Sequence, residues 1–187
     1  MKYKKIYTAD ELLNFFLQAN EIFLKKDIEL LLLNVSERSW YSRFATYLET
    51  LRKKYHIVGY RVDTEYNRSE EGKLKTILDD HTFQIIPITC DIILHSGGKN
   101  KYQDNLLCIE MKKSTASKKE KLEDKKRLSL LTKVSFDDVW SADGRALPEN
   151  VCGYVLGLYY EVNVKKRSIY METYWHGEQM ENFTISF

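Results

Sequence analysis

Three ionisable residues stand in two stretches of the chain that are otherwise apolar. Asp91 lies in the run 90–94, and Glu110 and Lys112 lie in the run 106–112. Both runs predict β-strands, and because side chains alternate along a strand, Glu110 and Lys112 are expected to share a face. An unpaired charge is costly to bury, so such groups are normally paired or bound to a metal ion.

These residue types in this order can carry out hydrolytic chemistry. The carboxylates of Asp91 and Glu110 can share a hard cation such as Mg²⁺ or Mn²⁺, and the backbone carbonyl of Met111 is a further candidate ligand. Lys112 can then orient an attacking water or help to deprotonate it, while the cation lowers the pKa of that water. The alternative is a salt bridge between neighbouring strands, in which the three groups form only a structural ion cluster.

The segments that flank these runs predict two helices near the N-terminus. The first helix is expected over 8–33, with Thr8 as its cap and Glu11 completing a capping box. The residues 25–27 are expected to divide it into two pieces. Ser36 is expected to cap a second helix, which continues to about Lys54.

The rest of the chain predicts strands and one further helix. The sequence predicts a half-exposed strand over 59–66, a loop over 67–84 with an optional short helical piece, a strand within 85–95, a central strand over 106–112, a basic helix over 117–134, a loop over 135–150, and strands over 151–164 and 168–174 that turn at 165–167. This order of elements indicates an α/β protein.

Composition places few limits on function. The chain has 187 residues, which fits one domain, and a formal net charge of +2. The charge is unevenly distributed, because 112–133 carries nine Lys or Arg residues against three acids. This basic run either contacts a phosphate backbone or forms a solvated helix face.

Cysteine and histidine usage points to a reducing environment without zinc. Cys90 and Cys108 lie in apolar runs and are expected to be small buried side chains, and with Cys152 the cysteine count is odd. The four histidines show no zinc-ligand spacing. No apolar run approaches the roughly 20 residues needed to span a membrane, so a cytoplasmic location is expected.

Asp91 followed by Glu110-Met111-Lys112 resembles the PD-(D/E)XK nuclease superfamily, the restriction-endonuclease-like group. The resemblance implies an α/β fold with a mixed central β-sheet of four to five strands flanked by helices. It implies a single domain over 1–187, with a core over 36–175 and an N-terminal helical extension over 1–35. Within the superfamily, the stretches 37–49, 63–68 and 105–113 are similar to small, mostly uncharacterised bacterial proteins, which implies a bacterial or phage-related source.

The resemblance also implies roles for individual residues. Asp91 and Glu110 would be metal ligands, Lys112 the catalytic lysine, and Glu37 the acid that the helix before the first core strand often supplies. An acid at the start of a helix is also favoured by the helix dipole, so Glu37 has a second explanation. The sequence departs from the family pattern at Cys90, where the motif has proline.

Further candidates lie around these positions. Glu65 can add to the acidic cluster, and Arg68 and Lys113 can contact a nucleic-acid backbone, although each is also explained as an ordinary exposed residue. Five aromatic residues of the last strands either stack on bases or pack within the fold: Tyr159, Tyr160, Tyr170, Tyr174 and Trp175.

The resemblance implies a Mg²⁺- or Mn²⁺-dependent nuclease that hydrolyses phosphodiester bonds, with DNA as the favoured substrate and no membrane partner. The alternative is a nuclease-fold module that does not cut but binds nucleic acid or a protein. Many relatives of this fold act as dimers, so a homodimer is also an open expectation.

Overall fold

The computed structural model describes residues 5–65, 76–79, 84–87, 89–100, 102–133 and 152–187. Within these ranges the chain forms three helices and eight strands, in the order α1 Ala9–Leu32, α2 Glu37–Lys54, β1 Arg61–Thr64, β2 Thr76–Asp79, β3 Gln84–Pro87, β4 Ile92–His95, β5 Asn105–Lys113, α3 Lys118–Thr132, β6 Leu156–Asn163, β7 Ser168–Trp175 and β8 Glu178–Ser186. None of these helices combines the length and apolar character that crossing a bilayer requires.

Helix α1 begins and bends where its sequence predicts. The Thr8 hydroxyl accepts a hydrogen bond from the Glu11 N–H, and the Glu11 carboxylate accepts one from the Thr8 N–H, so both groups of the capping box are paired. Asp27 has non-helical backbone angles, φ −131° and ψ 23°, which interrupt the helix at the predicted position. Its carboxylate accepts a hydrogen bond from the Tyr47 hydroxyl of α2, which ties the interruption to the neighbouring helix.

Helix α2 is confirmed over the predicted range. The Ser36 hydroxyl accepts a hydrogen bond from the Ser39 N–H at 3.3 Å and caps the first turn. Glu37 lies in that first turn and Arg52, Lys53 and Lys54 in the last, which complements the helix dipole at both ends. The helix therefore presents the Glu37 carboxylate at its N-terminus.

The main sheet has the strand order β1-β4-β5-β6-β7-β8. Strands β5 and β6 are parallel, and the other neighbouring pairs are antiparallel. Parallel neighbours need a long connection, and α3 lies in the connection from β5 to β6. The protein is therefore an α/β protein with a mixed sheet, as predicted, but the described sheet has six strands where four to five were expected.

Two features of the strands correct the sequence-based predictions. Strands β2 and β3 form an antiparallel pair, so residues 76–79 are strand where a loop over 67–84 was expected, and the strand expected within 85–95 is divided into β3 and β4. Strand β8 was not predicted; most of its residues are exposed, and only Phe183 and Ile185 alternate toward the core. The loop expected over 135–150 lies outside the described residues.

One face of the sheet packs against α1 and α2 through a large apolar core. At its centre the Phe44 ring lies between Phe16, Phe23 and Tyr160, with ring centroids 5.2, 5.5 and 5.9 Å away. All four side chains are fully buried. The N-terminal helix thus belongs to the same core as β6.

The opposite face packs against α3 through a smaller apolar cluster. Leu128 and Leu131 of α3 lie against Cys90, Cys108 and neighbouring aromatic residues of the sheet. Both cysteines are buried and free, as expected. Because helices cover β5 on both faces, this strand has the central position that its sequence predicts.

We expect Phe44→Ala to lower the free energy of unfolding by about 3–5 kcal/mol, since it removes the ring at the centre of the aromatic cluster. Urea unfolding followed by circular dichroism measures the change. Leu33→Ala is the control, because Leu33 is 72% exposed and its loss is expected to cost less than about 0.5 kcal/mol. Equal effects of the two substitutions would show that Phe44 is not central to the core.

Candidate active site

The pairing of β4 with β5 brings Asp91 beside Glu110. Ile92 of β4 pairs with Ile109 of β5, and the two strands are antiparallel. Asp91, which precedes Ile92, therefore lies next to Glu110, which follows Ile109. Asp91 lies just before β4 rather than inside a strand, which corrects the prediction. Its Oδ2 accepts a hydrogen bond from the Met111 N–H at 2.7 Å, so the backbone of β5 anchors the Asp91 carboxylate.

Glu110 and Lys112 both face α3, on the side of the sheet that the two-residue period of the strand predicts. Glu110 Oε1 accepts a hydrogen bond from Arg127 Nε at 2.6 Å, and Lys112 Nζ lies 3.0 Å from Asp124 Oδ2. The Met111 side chain between them packs in the apolar core on the other face. The expected metal contact of the Met111 carbonyl stays a prediction.

Glu37 reaches the same place from α2. Its Oε2 lies 3.5 Å from Lys112 Nζ, and its Oε1 accepts a hydrogen bond from the Lys113 N–H at 2.6 Å. Glu37 thus lies in the first turn of α2, as the helix-dipole explanation requires, and the same turn contacts the end of β5, while its role as a catalytic acid stays a prediction. Lys112 is held between carboxylates from two different helices.

Two residues of this cluster, Asp124 and Arg127, were not among the sequence-based candidates. Asp124 is buried, and its Oδ1 accepts a hydrogen bond from Arg127 Nη2 at 2.5 Å. A signal was present in the sequence, since Asp124 lies four and seven residues before Leu128 and Leu131 and therefore shares their buried stripe. An acid on an apolar stripe indicates a buried partner of opposite charge.

The basic run 112–133 is neither wholly solvated nor wholly available to a ligand. Lys121 Nζ lies 3.0 Å from a Glu161 oxygen, and Lys125 Nζ lies 2.6 Å from a Glu172 oxygen, so these lysines pair with carboxylates of the sheet. Lys119 is exposed instead. Lys121 and Lys125 thus hold α3 against the sheet, whereas Lys119 faces solvent.

The tyrosines of the last strands have partners within the fold. The Tyr159 hydroxyl donates to Glu161 at 2.9 Å, and the hydroxyls of Tyr170 and Tyr174 donate to Glu172 at 2.7 and 2.6 Å. Tyr160 belongs to the core on the other face, where its hydroxyl donates to Asn20 at 2.7 Å. These contacts favour packing over base stacking, while Trp175 is 40% exposed at the end of β7.

The cluster has an excess of negative charge. Four carboxylates, those of Glu37, Asp91, Glu110 and Asp124, lie around the two cations Lys112 and Arg127. If all six groups are ionised, two negative charges are not balanced within the cluster. Hard oxygen donors with an excess charge of this size suit a divalent cation.

The pKa values of Asp91 and Glu110 reflect this crowding. Burial, together with the charges of Asp124 and Glu37, raises the pKa of Asp91 to about 6, against the hydrogen bond from Met111 and the charge of Lys112. Burial and the charge of Asp91 raise the pKa of Glu110 to about 8, although Arg127 acts in the opposite direction. Both carboxyl groups therefore hold a proton more tightly than in water.

Lys112 is stabilised as a cation. Burial alone would lower its pKa, but the hydrogen bond with Asp124 and the charges of Asp124 and Glu37 outweigh burial and raise the pKa above its ordinary value. A lysine that keeps its proton cannot take one from water. Of the two roles expected for Lys112, the arrangement therefore suits the orientation of a water molecule better than its deprotonation.

Glu65 lies beside Asp91 in a strained backbone conformation. Its φ is +48°, its N–H donates to the Asp91 carbonyl at 3.2 Å, and its carboxylate accepts a hydrogen bond from the Tyr41 hydroxyl. Arg38 also lies 3.0 Å from this carboxylate. The contacts place Glu65 at the border of the acidic cluster.

The two basic candidates for nucleic-acid contact are Lys113 and Arg68, and the structure describes only Lys113. Lys113 Nζ donates to the Asn34 carbonyl at 3.0 Å and lies over the Trp40 ring, 5.3 Å from its centroid. This side chain is therefore tied to the start of α2. Arg68 lies outside the described residues.

The donor set fits a divalent cation in chemistry, but several of its oxygens have partners within the protein, among them Glu110 Oε1 and Asp91 Oδ2. In the part of the chain that the structure describes, no three His, Cys, Asp or Glu side chains are arranged to share one ion. The carboxylates are ion-paired within the protein, since Arg127 contacts Glu110 and Lys112 contacts Glu37 and Asp124. For Glu110 Oε1 to bind a metal ion, its contact with Arg127 must open.

Comparison of the chain with protein-family models, with curated proteins and with solved structures finds no match in any of the three.

We expect the metal-free protein to lose stability as the pH rises from about 5 to about 8. A carboxyl group whose pKa is raised by folding binds its proton more tightly in the folded state, so its stabilising effect is lost as the pH rises through the folded pKa. Urea unfolding at several pH values measures the slope, and we expect a smaller slope in Glu110→Gln. An unchanged slope in that variant would show that Glu110 does not titrate in this range.

Proposed function

We propose that the protein is a divalent-metal-dependent nuclease, similar to the PD-(D/E)XK superfamily, which hydrolyses phosphodiester bonds of nucleic acid, with DNA as the favoured substrate. The observation that carries the proposal is the convergence of Asp91, Glu110, Lys112 and Glu37 at one place on the sheet. They come from three separate segments of the chain. A motif that arose by chance would not be expected to bring all four together.

Each residue has a distinct proposed role. Asp91 and Glu110 would hold Mg²⁺ or Mn²⁺ through carboxylate oxygens, with the Met111 carbonyl as a further ligand. The bound ion would lower the pKa of a water molecule and offset the charge that develops on the phosphate. Lys112, kept cationic by Asp124 and Glu37, would stabilise the same developing charge.

The position of the site within the sheet supports this proposal. Glu110 and Lys112 lie near the end of the central strand β5, where the N-terminus of α2 contacts the same strand. Catalytic groups on a central strand are held rigidly by neighbours on both sides. A mixed sheet with helices on both faces also agrees with the architecture that the resemblance implies.

A second candidate function is a nuclease-fold module that does not cut. The contact between Arg127 and Glu110 favours it, because a guanidinium already neutralises one proposed metal ligand. The inner lysines of α3 weigh against a nucleic-acid-binding version of it, since Lys121 and Lys125 are paired with the sheet. A third possibility is that the charged residues form a purely structural ion cluster, which needs neither a metal ion nor a substrate.

Calorimetric titration with Mn²⁺ separates these functions. We expect the wild type to bind the ion, and the double variant Asp91→Asn/Glu110→Gln to lose binding while circular dichroism shows that it is folded. Glu123→Gln is the matched control, because Glu123 is an exposed acid of α3 that pairs with Lys119. Failure of the wild type to bind Mn²⁺ would favour the module that does not cut.

Cleavage assays on plasmid, linear and single-stranded DNA test the reaction itself. We expect Lys112→Ala to lower the cleavage rate ~100-fold or more in a folded protein, because it removes a cation that is placed to stabilise the developing charge. Lys119→Ala, which removes an exposed lysine of the same basic run, is expected to retain the wild-type rate. Full activity of folded Lys112→Ala would contradict the proposed role.

A further inference from the structure

Helix α3 supplies one partner for each charged residue of the Glu110-Met111-Lys112 segment. Arg127 contacts Glu110 at 2.6 Å, and Asp124 contacts Lys112 at 3.0 Å. Asp124 and Arg127 lie three residues apart and share a face of α3, while Glu110 and Lys112 lie two residues apart and share a face of β5. Two side chains on one face of α3 can therefore meet two side chains on one face of β5.

The four charges also form a continuous chain of contacts. Arg127 bridges Glu110 and Asp124, and Asp124 in turn contacts Lys112. Acid and base alternate along this chain, so each charge has a neighbour of opposite sign. The side chains of Glu110 and Asp124 are 3% and 6% exposed, and at this depth a misplaced charge is costly.

Other residues are available to dock α3 on the sheet. Leu128 and Leu131 pack in the apolar cluster, and Lys121 and Lys125 form ion pairs with the sheet. Asp124 and Arg127 differ from these four residues because their partners are proposed catalytic groups. Loss of the Asp124 charge alone leaves the other docking contacts in place.

We propose that Asp124 is a positioning residue of the active site, which holds Lys112 in the arrangement that the reaction needs, and that Arg127 in turn holds Asp124. This inference rests on the proposed nuclease function. Asp124 carries most of the effect on Lys112, because Glu37 is the more distant partner at 3.5 Å. Neither Asp124 nor Arg127 takes part in the reaction directly.

The kinetic test compares three variants of α3 with the wild type. Asp124→Asn keeps the shape of the side chain but removes its charge, Asp124→Glu restores the charge on a longer side chain, and Glu123→Gln is the exposed control next in the chain. We expect Asp124→Asn to lower kcat ~10- to 100-fold with little change in KM, which is the usual size of an effect on the partners of catalytic groups. We expect partial recovery in Asp124→Glu and wild-type kinetics in Glu123→Gln.

A second measurement follows Lys112 without any need for nuclease activity. Limited labelling with an amine-reactive ester, quantified by mass spectrometry, reports how firmly each lysine is held. We expect Lys112 to be labelled several-fold faster in Asp124→Asn than in the wild type or in Glu123→Gln, while the labelling of exposed Lys119 stays constant. Circular dichroism confirms that the compared proteins are folded.

The two measurements separate the positioning role from the proposed function. Faster labelling of Lys112 together with a lower kcat supports both. Faster labelling in a protein whose wild type cleaves no nucleic acid supports the hold of Asp124 on Lys112 and overturns the nuclease. Unchanged labelling, or a kcat of Asp124→Asn within twofold of the wild type, overturns the positioning role.

Discussion

A carboxylate on the central strand of the sheet must be neutralised, and much of this structure is arranged around that requirement. Glu110 is buried, and at such depth its carboxyl group must either be protonated or lie beside a charge of opposite sign. Arg127 meets the requirement from α3, and Asp124 then balances both Arg127 and Lys112. Helix α3 therefore supplies the charges that balance those of β5.

The two faces of the sheet differ in the chemical character of their packing. On the α1 and α2 side, aromatic rings around Phe44 form a dry core, which is the usual source of stability. On the α3 side, ion pairs and tyrosine hydroxyls surround a smaller apolar cluster. Replacing buried ion pairs by apolar groups is often neutral or stabilising, so a polar face of this extent is not explained by stability alone.

The raised pKa values of Asp91 and Glu110 and the ion pairs of the cluster have the same cause, which is the close packing of several charged groups. The cluster has more carboxylates than cations, and in the absence of a metal ion the excess is relieved by proton binding at Asp91 and Glu110. A divalent cation would relieve the same excess in another way, and at Glu110 Oε1 it would compete with Arg127. At Lys112, the neighbouring carboxylates of Asp124 and Glu37 raise the pKa and favour the cation.

The sequence by itself determined the local features of this protein. The caps at Thr8 and Ser36, the interruption at Asp27 and the shared face of Glu110 and Lys112 follow from hydrogen bonds and side-chain periods within a few residues, which a sequence displays directly. Only the tertiary structure decided which distant groups meet. It brought Asp124 and Arg127 to the site, paired Lys121 and Lys125 with the sheet, and added the exposed strand β8. The physical reason is that a partner across a packing interface depends on how elements are docked, and neither composition nor local periodicity records that docking.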